Sequence, residues 1–461
     1  MEIVIVGANH AGISAAMTIL GHYTGHNVTM FEMDDNVSFV GADALLRLAG
    51  KIDSESSMWY SSPEKLQSKG VKLHMQTEVT AVDLKAKTVT GTAKSCESVV
   101  KHYDKLILAT GSSARKLGVT GADAENVLTL KTAHDAKKLF KYADSPATRA
   151  IAIVGTGHIG VELAIALSIQ KQKSADKFEN RKIMLFGRSA RSLKEHVDDI
   201  FATKIDDLLT ENGVELHYGE NLVAFQDDGK TLVTDSGKYA VDVTVISAGF
   251  VANSELLAGE IQRLEGSNVY IVNSAQQTSN ADVYAVGDVA SSYMNVTGEN
   301  ASIQLGSYAT RSGIIAGHNA VTDNKYAKSI GTQGSSSINA YGFIVSTTGL
   351  TFGAAQATFS KRNIEVSKTD FTALVKPKYL VGDENAEVTV RLVFETESKR
   401  LLGACIASTY DISSALHMLS LAINQNMTLY DLRYVDMFFS PWQNQVYNFV
   451  LRAAARGAEG K

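Results

Sequence analysis

One local pattern constrains this chain more than any other, and it occurs twice. Met1 to Val6 reads as a short buried strand, Gly7-Ala8-Asn9-His10-Ala11-Gly12 as a tight glycine turn, and Ile13 to Leu20 as a helix. A second apolar run, Val28-Thr29-Met30-Phe31, ends at Glu32. The pattern returns at Ala150: a strand to Val154, the complete G-x-G-x-x-G turn Gly155-Thr156-Gly157-His158-Ile159-Gly160, and a helix continuing through Val161-Glu162-Leu163-Ala164. Strand, glycine turn, helix and strand form the unit that holds a dinucleotide. The glycines let the backbone approach a pyrophosphate, and the helix start offers it unpaired N–H groups and a positive dipole end. An acid after the second strand accepts hydrogen bonds from a ribose diol. Asn9 replaces the middle glycine of the first turn, so that unit leans on its context. Two such units predict two dinucleotides in one chain.

The second unit lacks its acid. Its second strand, Lys182-Ile183-Met184-Leu185-Phe186, runs into Gly187-Arg188-Ser189-Ala190-Arg191. A carboxylate there would repel a 2′-phosphate, whereas glycine, arginine and serine offer room, charge and a hydroxyl donor. The expectation is preference for NADPH, with Gly187, Arg188, Ser189 and Arg191 at the 2′-phosphate.

Three further stretches suit close approach to a cofactor. Tyr103 to Leu108 is a strand leaving through Ala109-Thr110-Gly111. Val243 to Ala248 leaves through Gly249, and Thr278 to Val286 ends in Gly287-Asp288. An aspartate beside a glycine at a strand end can accept from a ribityl chain. Residues 63 to 108 otherwise read as short strands with polar turns, and Leu305 to Asn319 as a helix of small residues. From residue 326 onward the character is mixed α+β without a glycine fingerprint. Strands are expected at Tyr341 to Thr347, Thr372 to Val375, Val388 to Phe394 and Leu401 to Ala407, and helices at Ile412 to Asn424 and Trp442 to Ala454. The run Phe438-Phe439-Ser440-Pro441-Trp442 is either core or part of a site reached across a dimer interface.

Composition narrows the class. At 461 residues the chain exceeds one core. A net charge of -5 gives no reason to expect nucleic acid or an anionic membrane as partner. No apolar run is long enough to span a bilayer, and the N-terminus does not read as a signal peptide. Two cysteines, Cys96 and Cys405, make no disulfide framework. The expected compartment is cytoplasmic, and no metal site is read.

These motifs, in this order, resemble the two-dinucleotide flavoprotein reductases. Asn36-Val37-Ser38-Phe39, Gln333-Gly334-Ser335-Ser336 and Asp436-Met437-Phe438-Phe439-Ser440-Pro441 are similar to the NADH oxidase, NADH peroxidase and coenzyme A-disulfide reductase family. The resemblance implies an α/β fold of two Rossmann-like dinucleotide-binding domains, glutathione-reductase-like, plus a C-terminal α+β dimerisation domain. The expected limits are 1–116 and 243–325 for an FAD domain, 117–242 for an NAD(P) domain and 326–461 for the domain that forms a homodimer. FAD belongs on Gly7 to Gly12, Glu32, Ala109, Thr110, Gly111, Gly249, Gly287 and Asp288, and the nicotinamide nucleotide on Gly155 to Gly160 with Glu162.

The departures set the expected chemistry. The family places a redox cysteine in a Ser-Phe-Leu-Ser-Cys-Gly stretch, whereas this chain reads Ser38-Phe39-Val40-Gly41-Ala42-Asp43. Alanine forms neither a sulfenic acid nor a mixed disulfide, which argues against peroxidase and disulfide-reductase activity. His10 survives where the family has a histidine beside its cysteine, with a proton-donating role or merely a local hydrogen bond. His158 stands where relatives often carry a tyrosine that covers the flavin, and Val251 where they carry a base. What remains is a flavin, a hydride donor and dioxygen: an FAD-dependent NADPH oxidase releasing hydrogen peroxide. Formation of water by a thiol-free route, reduction of a quinone-like acceptor, and a non-turnover redox sensor are the alternatives.

Overall fold

The computed structural model describes residues 1–380 and 385–460. The first glycine unit forms a parallel sheet. Its central strand, Glu2–Val6, lies between Asn27–Phe31 and Lys105–Leu108, with Val71–His74 and Val283–Ala285 at the edges. The strands are short and apolar on both faces because both faces are covered. On one face the helices His10–His22 and Gly306–Thr322 pack together, and the small residues expected in the second explain how closely. A Cβ added at Gly313 would lie 2.2 Å from the Ala11 carbonyl oxygen.

The second unit repeats this design around Ala150–Val154, flanked by Lys182–Gly187 and Val243–Ile246. Here the structure departs from the expected domain limits. Val243–Ile246 pairs in parallel with Ala150–Val154 and with Val127–Thr129, so it completes the second sheet. The chain returns to the first unit only afterwards, through Phe250–Ala252, which pairs antiparallel with Ser112–Ala114. An apolar strand ending in glycine looks the same in either sheet, and register with a distant strand decides between them.

The C-terminal part is a five-stranded antiparallel sheet of Ser336–Ala340, Phe343–Gly349, Leu401–Ser408, Glu387–Glu395 and Val366–Leu374, in that spatial order. Two other local differences have capping causes. Pro63–Ser68 is a helix, since the Ser62 hydroxyl accepts from Lys65 N and Pro63 sits in the first turn. The last helix begins at Phe449 instead of Trp442, because Asn448 caps it by accepting from Val450 N. Phe438 and Trp442 are about 70% exposed, at 69% and 71%, so within one chain the aromatic run is surface, not core.

Helix Gly41–Leu48 packs against His158–Lys173 and Ala133–Ala143. Its buried Ala44, Leu45 and Leu48 share one core with Val161, Leu163 and Ile165 of the second unit and with Ile338 and Val345 of the C-terminal sheet. All three parts therefore meet around residues 39 to 49. No described helix is long and apolar enough to cross a membrane.

Candidate dinucleotide sites and the cluster between them

The first glycine turn is held by contacts that tolerate no side chain. Gly7 has φ +107°, and a Cβ there would lie 2.3 Å from the Ala109 carbonyl oxygen; one on Gly12 would lie 2.0 Å from that of Gly7. The strand exit Ala109-Thr110-Gly111 is thus pressed against the turn, as its small residues allow. Asn9 caps the helix, its Oδ1 accepting from His10 N at 2.9 Å. Its amide donates to the Phe39 carbonyl at 3.1 Å, drawing the side chain toward residues 36 to 40.

Glu32 closes the turn. Its two oxygens accept from Ala8 N at 2.7 Å and Asp34 N at 2.9 Å. Burial raises its carboxyl above the ordinary range, while these backbone donors oppose the rise. At the far end, Asp288 Oδ2 accepts from the Ser112 hydroxyl at 2.7 Å and pairs with Lys131 Nζ at 3.0 Å. Lys131 was not foreseen. It precedes a helix whose capping box, Thr132 with Asp135, is legible in sequence, but its reach to Asp288 is tertiary. It also lies over the Phe250 ring, 4.3 Å from the centroid, beside Val251, where a base was missed in sequence. Gly249 takes φ +90° and Gly287 +69°, both in the left-handed region.

The second turn repeats the first. A Cβ on Gly155 would meet the Ser247 carbonyl oxygen at 2.2 Å, and one on Gly160 that of Gly155 at 1.9 Å. Gly157 differs: nothing lies within 4 Å of its absent Cβ, and it caps the helix without a side-chain acceptor. Space is therefore open beside the start of a 16-residue helix, whose first-turn N–H groups have no intrahelical acceptor. Gly187 corrects one expectation. The room it was expected to leave is filled by Thr156, whose methyl would lie 2.4 Å from a Cβ there. Its glycine serves close packing of the turn. Arg188 is exposed, whereas Arg191 donates to the Val197 carbonyl at 2.9 Å and so bridges the loop that follows.

His158 and Glu162 stand one turn apart at the start of that helix. Burial pushes His158 down to about 4 and Glu162 up to about 7. At neutral pH the imidazole is uncharged, and the carboxyl is close to its titration midpoint. The His158 ring lies 4.9 Å from that of His196, and its Nε2 is 3.2 Å from the Ser336 hydroxyl of the C-terminal sheet.

His10 stands at the start of the first helix. Its Nδ1 is 3.2 Å from the Tyr60 hydroxyl, and the two rings stack at 5.4 Å with an interplanar angle of 11°. Ala42 is exposed in the first turn of Gly41–Leu48. Neither sulfur belongs to this cluster. Cys96 is exposed in a turn between two strands, and Cys405 is buried in the C-terminal sheet, where burial pushes its thiol well up. No group of described residues could hold a metal ion.

Residues 1–313 match the model of the pyridine nucleotide-disulphide oxidoreductases, and residues 341–447 match the dimerisation domain of the same proteins. The chain belongs to that family. Its cofactors are FAD and a nicotinamide nucleotide, and its last domain is the one through which members dimerise. Among relatives, the NADH oxidase of Lactococcus lactis is 35% identical over 98% of this chain and 99% of its own length. That of Enterococcus faecalis is 32% identical over 98% of each chain. Among solved structures, the water-forming NADH oxidase of Lactobacillus brevis bound to NADH superposes with a TM-score of 0.92 at 31% identity, covering 100% of this chain and 99% of that one. An engineered water-forming NADPH oxidase bound to NADPH matches equally, at 0.92 and 31%, covering 100% of both.

The first turn fits the FAD of the family on its own evidence. It offers a cradle that any Cβ would fill, a buried carboxylate with lone pairs left for a ribose diol, and Asp288 with one oxygen not used by its two partners. The second turn, with open space over a helix start, fits a pyrophosphate.

Proposed function

We propose that this chain is a homodimeric, FAD-dependent NAD(P)H oxidase that prefers NADPH and releases hydrogen peroxide. FAD held on the first turn would supply the redox chemistry, a two-electron transfer from the nicotinamide nucleotide to dioxygen. The balance is NADPH + H⁺ + O2 → NADP⁺ + H2O2. Gly7, Ala8 and Gly12 let backbone approach the FAD pyrophosphate, Glu32 takes its ribose, and Asp288, oriented by Ser112 and Lys131, takes its polyol chain. Gly155, Gly157 and Gly160 do the same for the nicotinamide nucleotide. His158, beside His196 and Ser336 at the start of that helix, would adjoin the nucleotide without adding charge.

The peroxide reading rests on one argument. By the family resemblance Ala42 stands where members carry a redox cysteine, and neither cysteine of this chain lies among the residues around His10. A chain with no thiol there has no group to carry the second two-electron reduction of peroxide to water.

The NADPH reading has independent support. The substitutions that define the engineered NADPH oxidase remove an aspartate and put alanine, arginine and serine at three consecutive positions, with a further arginine five positions on. This chain reads Gly187, Arg188 and Ser189, with Lys194 at the corresponding later place. Arginine and serine thus stand together here as they do in that relative, with glycine for its alanine and lysine for its later arginine.

The test is anaerobic bleaching of the flavin with NADPH and with NADH, then admission of air and a peroxide assay on the same sample. Fast bleaching by NADPH and one peroxide per NADPH are expected. Two NADPH consumed per dioxygen without peroxide would overturn the product. That second reading, water formed by a thiol-free route, is favoured by the water-forming activity named for both solved relatives.

A further inference from the structure

We propose, resting on the NADPH reading above, that Arg391 of the C-terminal sheet is a positioning residue for the nucleotide. Through Asp198 and Asp199 it holds residues 188–198 of the second unit where they meet the 2′-phosphate. A domain without a glycine turn thereby shares in nucleotide selection.

The segment and its anchor are contiguous. Strand Lys182–Gly187 ends just before Arg188, and the chain then passes Ser189 and Arg191 to reach Asp198, which precedes helix Asp199–Glu211. Asp198 stands at the cap position of that helix, yet its side chain makes no capping bond. An aspartate there ordinarily accepts from the first-turn N–H groups of its own helix. Asp198 Oδ1 accepts instead from Phe352 N of the C-terminal domain at 2.9 Å, and it lies 3.4 Å from Arg391 Nη1. The carboxylate is spent across the domain border.

Arg391 is built to receive it. Its side chain is 1% exposed, and each of its three nitrogens donates to a carboxylate. Nε and Nη2 donate to the two oxygens of Asp370, the residue opposite on Val366–Leu374, at 2.6 and 2.8 Å. Nη1 donates to Asp199 Oδ1 at 2.7 Å. A planar fork fixed within one sheet thus presents its remaining nitrogen to the other domain, setting direction as well as distance. An exposed ion pair would do this weakly and fade in salt.

The path from this anchor to the arginines is short. Arg191 donates to the carbonyl of Val197, the neighbour of Asp198, at 2.9 Å. Farther back, Leu193 N donates to the Thr156 carbonyl in the glycine turn at 2.8 Å, and Ser192 N to Asp206 at 3.3 Å. Leu193 is buried with φ +52°, a left-handed conformation that a leucine keeps only where its surroundings hold it. Releasing the far end at Asp198 lets that strain relax and shifts the residues between.

The experiment uses the full-length, FAD-loaded enzyme and the variants Arg391→Lys and Asp199→Asn. Arg391→Lys keeps the charge but loses the fork, and Asp199→Asn alters a side chain that is 65% exposed, so the fold survives at least the second. Anaerobic flavin bleaching against nucleotide concentration gives a dissociation constant and a limiting rate for NADPH and for NADH. Both variants are expected to weaken NADPH by up to about tenfold, the worth of one charge-assisted contact. NADH affinity, both limiting rates and flavin content stay as in the wild type. On an Arg188→Ala background the further loss should vanish, because the two residues act through one segment. Trypsin cleavage after Arg188, Arg191 or Lys194, located by mass spectrometry, should be faster in both variants. Equal weakening of both nucleotides, or none, in an enzyme that prefers NADPH would overturn the role of Arg391 and leave the NADPH reading standing. No NADPH preference in the wild type overturns that reading instead. The hold on residues 188–198 is then judged on trypsin cleavage alone, which upholds it if faster in the variants and refutes it if unchanged.

Discussion

Removal of the Arg188 side chain tests the proposed preference for NADPH over NADH. Arg188 is exposed and has no hydrogen bond or ion pair among the described residues, so engaging a 2′-phosphate disrupts no existing contact. Arg191 starts from a different position, since its guanidinium already donates to the carbonyls of Val197 at 2.9 Å and Ser192 at 3.4 Å. A charge-assisted hydrogen bond contributes about 1.5–3 kcal/mol, and solvent exposure places Arg188 at the lower end. Arg188→Ala should therefore weaken NADPH by about 1.5 kcal/mol, roughly tenfold. Arg188→Lys should recover part of the loss as a point charge. The assay is the concentration dependence of anaerobic flavin bleaching by stopped flow, with NADPH and NADH on the same preparations. NADH should be unaffected, and the NADPH advantage should shrink with added salt. If both nucleotides weaken equally, or NADPH is unchanged, Arg188 does not read the 2′-phosphate and the argument from Gly187-Arg188-Ser189 falls.

Two other outcomes follow from the buried carboxyls. Glu162, with a folded value of about 7 against an ordinary 4.5, favours the folded state below pH 4.5, and that stabilisation is lost as pH rises through 7. Glu162→Gln should raise the melting temperature relative to wild type at pH 8 and leave it unchanged at pH 4.5, with about 3 kcal/mol as the ceiling; equal shifts at both pH values would contradict a burial-driven cause. Glu32→Ala removes the acceptor for Ala8 N and Asp34 N as well as the ribose contact, so the purified protein should lose most of its FAD, read from its visible spectrum. Full flavin content would show that Glu32 is dispensable for holding it.

Much of this protein was legible before any coordinates. The glycine turns were readable because their cause is local. Gly12 must clear the Gly7 carbonyl and Gly160 that of Gly155, and both partners lie within the same short motif. Ser62-Pro63 and Asn448 are equally local causes, and each caps a helix that apolar periodicity alone does not place. The candidate site was legible in part: Glu32, Asp288 and His10 stand in motifs and could be named from sequence, whereas Lys131 and Tyr60 could not, since neither lies in a motif.

The sequence by itself determined that there are two dinucleotide units, that the second ends in Gly-Arg-Ser instead of an acid, and that position 42 has no sulfur. Those facts need only neighbouring residues, because a turn, a cap or a missing functional group is complete within a few positions. Tertiary structure alone decided what surrounds them. It assigned Val243–Ile246 to the second sheet, filled the space at Gly187 with Thr156, turned Trp442 outward, and joined Ser112, Lys131 and Asp288 into one cluster. It also set Tyr60 against His10. Such pairings are fixed by the register of distant strands and by the packing of helix Gly41–Leu48 onto the second unit, and no pattern in a single stretch of chain encodes them.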